Sequence, residues 1–151
     1  MSVDKAPFTI QSAEQLVELW SRTYNDSGKP DWSHLLPYYA EEIHFTDTVQ
    51  ELRGIDAFRE MVERLSRRSS ELRMHVLHAA MAGQTVFIEW EMTILFRKTR
   101  TSVMHGVSRI TLNDHGKITE QRDYYDLWGT ILGNIPGVGW LYHKFMRSVF
   151  G

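Results

Sequence analysis

Six apolar residues, Val86, Ile88, Trp90, Met92, Ile94 and Phe96, alternate with neighbours that include Glu89, Glu91 and Thr93. Only an extended strand puts every second side chain on one face, so this run predicts a half-buried β-strand and is incompatible with an amphipathic helix. Residues 103–112 repeat the pattern, with Met104, Gly106, Ser108, Ile110 and Leu112 sharing one side. Asn113-Asp114-His115-Gly116 reads as a hairpin turn, because glycine takes the positive φ that a tight turn requires. A further strand is expected from about Lys117 to Leu127, and Ala82-Gly83-Gln84 makes a comparable turn before residue 85. From about residue 72 onward the chain therefore reads as a meander of long antiparallel strands.

The first half has a different period. Ser12 followed by Gln15 is a capping-box signature, and Leu16, Leu19, Trp20 and Thr23 form one stripe, predicting a helix over 12–25. Asn25-Asp26-Ser27-Gly28-Lys29-Pro30 ends it. Asp31 is expected to cap a short helix containing Trp32, Leu35 and Leu36, terminated or distorted by Pro37. A short strand is expected over Ile43 to Asp47. After Gly54, Phe58, Met61, Val62 and Leu65 give the buried face of a third helix, with Arg59, Glu60, Glu63, Arg64 and Arg67 on its solvated side. Helices first and strands later argue for α+β over alternating βαβ units. The tail from Trp128 to Gly151 holds a last helical stripe, Trp140, Leu141, Phe145 and Val149, of the kind that closes over a core or a cavity mouth.

The length of 151 residues fits one domain spanning 1–151, large enough to enclose a cavity. Five Trp, six Tyr and seven Phe supply side chains that can line such a cavity as readily as fill a core. The formal net charge is −2, from 17 basic and 19 acidic side chains, so no nucleic-acid footprint and no polybasic membrane patch is read. No apolar run approaches the ~20 residues of a membrane helix. The N-terminal stretch lacks the apolar region of a signal peptide, and a cytoplasmic location is expected. Cysteine is absent, which removes disulfides, thiolate nucleophiles and cysteine metal sites. There is no His-Glu-x-x-His pair and no Walker or Rossmann glycine spacing, so neither a metal nor a cofactor is expected.

Three stretches carry a resemblance: Tyr39-Ala40-Glu41-Glu42-Ile43-His44-Phe45-Thr46-Asp47, Arg53-Gly54-Ile55-Asp56-Ala57-Phe58, and Gly116-Lys117-Ile118 leading into Arg122-Asp123-Tyr124-Tyr125-Asp126. With the order of elements, they resemble the nuclear transport factor 2-like superfamily, also described as SnoaL-like or ketosteroid-isomerase-like. That resemblance implies a cone: a curved antiparallel sheet wrapped around three N-terminal helices, with a deep apolar pocket and a C-terminal helix near its mouth. It also implies a homodimer, for which the outward Leu95, Val103 and Val107 offer a surface. Members include enzymes and plain binding modules, so the fold alone does not assign an activity.

Within the superfamily, limonene epoxide hydrolases are similar around Val86-Phe87-Ile88-Glu89 and Arg122-Asp123-Tyr124. Their Asp-Arg-Asp triad is matched by Asp123 alone, since Trp90 and Met92 stand at the arginine and middle aspartate positions. Asp47 falls where a residue helps hold the attacking water. Indole and thioether cannot replace guanidinium and carboxylate, so epoxide opening is not expected. Ketosteroid isomerases have their carboxylate base where Asp47 stands, after Phe45-Thr46, and their oxyanion hole falls on Trp20 and Ser108. SnoaL-like polyketide cyclases use one pocket aspartate, matched by Asp123.

The candidate catalytic residues are thus Asp123 and Asp47. The candidate pocket is Trp20, Phe45, Met74, His78, Trp90, Met92, Ser108 and Tyr125. Parity with Met74 and Val76 turns His78 inward, although a lone strand histidine is commonly a hydrogen-bonded structural residue. A carboxyl group buried among apolar side chains resists ionisation, which suits it to proton abstraction near neutrality. Two functions follow as expectations. One is a cofactor-independent acid–base isomerase or cyclase acting on a small lipophilic or polycyclic carbonyl compound. The other is a non-catalytic module that binds a small hydrophobic molecule or dimerises.

Overall fold

A computed structural model describes residues 7–24, 29–96, 101–131, 133 and 135–151. Helix α1 (Ala13–Thr23) starts at Ser12, whose hydroxyl accepts from the Gln15 amide. The Gln15 side chain reaches back to the Gln11 amide and the Thr9 carbonyl, so the capping box closes one residue wider than its usual form. The stretch Asn25 to Gly28, read as the end of this helix, lies outside the described residues. The short helix predicted around Trp32 is a single turn followed by a 3-10 turn (Leu36–Tyr38). Pro37 sits inside that turn, where its missing N–H costs nothing. Asp31 caps the entry by accepting from the Ser33 amide.

Strand β1 (Tyr39–Thr46) is longer than the sequence pattern suggests, and β2 (Glu51–Arg53) is too short to show any alternation. Helix α2 (Ile55–Arg68) follows Gly54. Then come β3 (Ser69–Ala82), β4 (Thr85–Phe96), β5 (Ser102–Leu112) and β6 (Ile118–Tyr125), before α3 (Leu127–Ile131) and α4 (Val138–Phe150). The six strands form one curved sheet in the order β2-β1-β6-β5-β4-β3. The meander from β3 to β6 is antiparallel as expected, while β1 joins β6 in parallel. That seam brings the first strand beside the last.

The alternation in β4 and β5 has the consequence read from it. Val86, Ile88, Trp90, Met92 and Ile94 are buried, as are Met104, Gly106, Ser108, Ile110 and Leu112. Each large apolar side chain taken out of water contributes roughly 1.5–3 kcal/mol, so this face and the α1 stripe supply the core. Gly116 turns the β5–β6 hairpin at φ 74°, and a Cβ there would also stand 2.9 Å from the Ile10 carbonyl oxygen. Among the described residues no helix is long and apolar enough to cross a membrane.

Two features depart from the sequence pattern. The pairing of β3 with β4 skips Leu77, passing from Val76–Trp90 directly to His78–Glu89. Such a bulge inverts the parity of the strand beyond it. The α4 stripe of Trp140, Leu141, Phe145 and Val149 is exposed and does not cover the core.

Candidate functional site

The concave side of the sheet, α1 and α2 enclose a cavity of about 430 Å³. Its wall is aromatic because inward positions of several elements converge there: Trp20 and Tyr24 from α1 and its C-cap, Phe45 from β1, Phe58 from α2, Trp90 from β4 and Tyr125 from β6. Met74 and Met92, paired across β3 and β4, add flexible apolar surface.

Asp123 also lines this cavity, and its carboxylate is the centre of a hydrogen-bonded chain. Ser108 lies opposite it on β5 and donates to Oδ1 at 2.6 Å. The Ser108 oxygen accepts in turn from Trp90 Nε1 at 2.9 Å. An indole N–H can only donate, so it directs the single hydroxyl proton of Ser108 toward the carboxylate. Gln121, two residues before Asp123 and thus on the same side of β6, donates through Nε2 to both oxygens at 3.1 and 3.3 Å. Its own carbonyl accepts from the Tyr39 hydroxyl at 2.6 Å, which holds the amide in that orientation. Oδ2 receives only the longer arm of the Gln121 fork and is the oxygen left for a ligand.

Burial drives the Asp123 pKa up to about 6, against the lowering effect of Ser108 and Gln121, and the charge of Asp47 adds to the rise. The Tyr24 phenol, in the same cavity, is held well above its ordinary range by burial and by the charge of Asp123. Its hydroxyl has no hydrogen-bond partner among the described residues.

Asp47 occupies a different setting. Its Oδ1 accepts from the amides of Val49 and Gln50, both at 2.8 Å, and its Oδ2 accepts from the Tyr125 hydroxyl at 3.1 Å. It lines the cavity and at the same time caps the turn between β1 and β2. Tyr125 is pushed above the usual phenol range by burial, then by that carboxylate.

Of the candidates from sequence, Asp47, Asp123, Trp20, Phe45, Met74, Trp90, Met92, Ser108 and Tyr125 all line the cavity. His78 does not. The bulge at Leu77 turns it to the outer face, where Nδ1 meets Glu89 at 2.7 Å with the side chain exposed. Trp20 is buried, and its Nε1–H has no partner among the described residues. Sequence reasoning missed Gln121, Tyr39, Tyr24 and Arg64. Parity with Asp123 marks Gln121, and Tyr24 sits one helical turn beyond Trp20. Nothing local marks Tyr39 or Arg64. Among the described residues no group of three or more His, Asp or Glu is placed to share a metal ion.

Comparison with known proteins places this geometry in context. No curated protein matches the sequence significantly. Among solved structures, a hypothetical protein from Catenulispora acidiphila with a ketosteroid isomerase-like fold, in complex with trimethylamine, superposes with a TM-score of 0.68 at 16% identity. The match covers 82% of this chain and 93% of that one. A candidate SnoaL-like polyketide cyclase from a Jannaschia species gives 0.66 at 19% identity, over 89% and 97% of the two chains. An LEH-like epoxide hydrolase from M. tuberculosis gives 0.65 at 15% identity, over 87% and 98%. At these identities the likeness is one of fold. The profile of the SnoaL-like domain matches residues 13–121, from the first turn of α1 to Gln121 beside the Asp123 carboxylate, and the chain belongs to that family.

Proposed function

We propose that this chain, taken as one SnoaL-like domain, is a cofactor-independent acid–base catalyst for a small lipophilic or polycyclic carbonyl compound. The observation that carries the reading is Asp123: a carboxylate in an aromatic cavity, raised to about 6, with its donors oriented and one oxygen open. At neutral pH it is ionised yet basic enough to accept a proton. In the proposed step Oδ2 takes a proton from the carbon next to the ligand carbonyl, and the electron pair moves onto the carbonyl oxygen as an enolate. The Tyr24 hydroxyl, kept protonated by its surroundings, donates a hydrogen bond to that oxygen. Return of the proton to another carbon completes an isomerisation; attack of the enolate on a second carbonyl, with the proton held by Asp123 passed to the alkoxide that forms, completes a cyclisation.

The test is solvent deuterium exchange and turnover across a panel of cyclic ketones. The expected kcat/KM rises with pH to a plateau, with its midpoint near 6. Asp123→Asn is expected to lose about 10²–10⁴-fold, and Tyr24→Phe a smaller factor. Exchange that persists in Asp123→Asn overturns the assignment. A second reading, ligand binding without turnover, is favoured by Asp47, whose oxygens are already committed to the turn and to Tyr125. It prevails if hydrophobic ligands raise the melting temperature while none of the panel exchanges. We also propose a homodimer through the outer face of β4 and β5, supported by the exposure of Val103 and Val107.

A further inference from the structure

We propose that the ligand is an amphipathic acid, whose apolar body enters the cone while its oxyanion is held at the rim by Arg64 and Arg68. This rests on the reading of the cavity as a ligand site and specifies what enters it. Helix α2 presents Met61, Arg64, Leu65 and Arg68 to the cavity, the spacing of one helical face. The two apolar members extend the greasy wall. The two arginines do not belong to a solvated ion-pair surface: Arg59 pairs with Asp56 at 2.9 Å and Arg67 with Glu63 at 3.8 Å, whereas Arg64 and Arg68 have no carboxylate partner among the described residues.

The cavity holds two carboxylates, and neither neutralises these guanidiniums. Asp47 accepts from Tyr125 and two backbone amides. Asp123 accepts from Ser108 and Gln121, and among the described residues no cation lowers its pKa. Arg64 is partly buried and Arg68 exposed, which puts the pair toward solvent, while Asp123 sits among buried Trp90, Ser108 and Gln121. Like charges four residues apart on a helix repel. The helix dipole favours cations at this end of α2 but does not require them to line a cavity. An oxyanion between them would relieve the repulsion and accept forked N–H donors from both.

The test is titration calorimetry at pH 7.5 with naphthylacetate, its methyl ester and naphthyl phosphate. The proteins are wild type, Arg64→Gln, Arg68→Gln and the double variant. Glutamine keeps helix propensity, and unchanged circular dichroism and melting check the fold. Wild type is expected to prefer acid over ester about tenfold at low salt, less in high salt, and the double variant to lose that preference while keeping ester affinity. The carboxylate and phosphate arms decide which oxyanion the rim accommodates. Equal affinity for acid and ester in wild type, or a preference that survives the double substitution, overturns the proposal. Ester binding with Asp123-dependent exchange but no acid preference sinks the anion site and leaves the catalytic reading standing. Failure of all three compounds to bind overturns the proposal, while exchange on the ketone panel decides the catalytic reading separately.

Discussion

At the scale of single residues, Asp123 sets a pH dependence of stability. Its folded pKa of about 6 lies above the ordinary 3.8, so between those values the folded state holds a proton that the unfolded state has released. The resulting stabilisation is complete below about pH 4 and is lost as pH rises through 6. Asp123→Asn is therefore expected to be more stable than wild type at pH 8, by up to about 2–3 kcal/mol, and equal to it near pH 4. Urea unfolding at the two pH values checks this, and a gain that does not depend on pH counts against it. Gly106 matters for a separate reason. A Cβ at that position would stand 2.4 Å from the Trp90 ring, because the indole lies across the glycine directly opposite it in the β4–β5 pair. Gly106→Ala is expected to cost about 1–3 kcal/mol, the usual penalty of overpacking. It should also displace the Trp90 Nε1 bond to Ser108, which Trp indole chemical shifts would register.

At the scale of elements, one bulge and one exposed helix face set the molecule apart from its sequence pattern. The skipped Leu77 sends Met74 and Val76 toward the cavity side and His78 away from it. Deleting Leu77 is expected to leave Val76 opposite Trp90, His78 opposite Glu89 and Ala79 opposite Ile88, so His78 keeps to the outer face once the bulge is gone. Because Leu77 is exposed, the expected outcome is a small change in stability by urea unfolding, and a large loss would show that the extra residue itself holds the strand pair together. Helix α4 carries an apolar stripe that is exposed among the described residues: Trp140 is 69% exposed and Phe145 61%. Removal of residues 137–151 is expected to leave the melting temperature of the sheet nearly unchanged, since no α4 residue lines the cavity and its large apolar groups lie outside the core. A drop of several degrees on truncation would mean that the helix is covered in solution.

At the scale of the whole molecule, the outer sheet face is the counterpart of the cavity wall. Val103 and Val107 project there, the latter opposite Tyr124, whose ring stacks under the Arg122 guanidinium. If that face joins two copies, Val103→Glu with Val107→Glu is expected to convert a dimer into a 17.7 kDa monomer by light scattering, with the cavity intact. A wild-type monomer at working concentration overturns the dimer. The sequence by itself determined the strands, because period-two alternation in β4 and β5 needs no tertiary information to be read, and it placed Asp123 and Tyr125 on one side of β6 by the same parity. It did not determine β2, whose three residues are too few to carry a pattern. Nor did it determine the side His78 faces, since a bulge is a property of pairing between strands. The convergence of Tyr39 and Gln121, 82 residues apart, came only with the assembled sheet, as the turning of Arg64 from the expected solvated face to the cavity wall came only with packing. Local periodicity assigns faces within an element, but which face meets a cavity is decided only when distant elements pack.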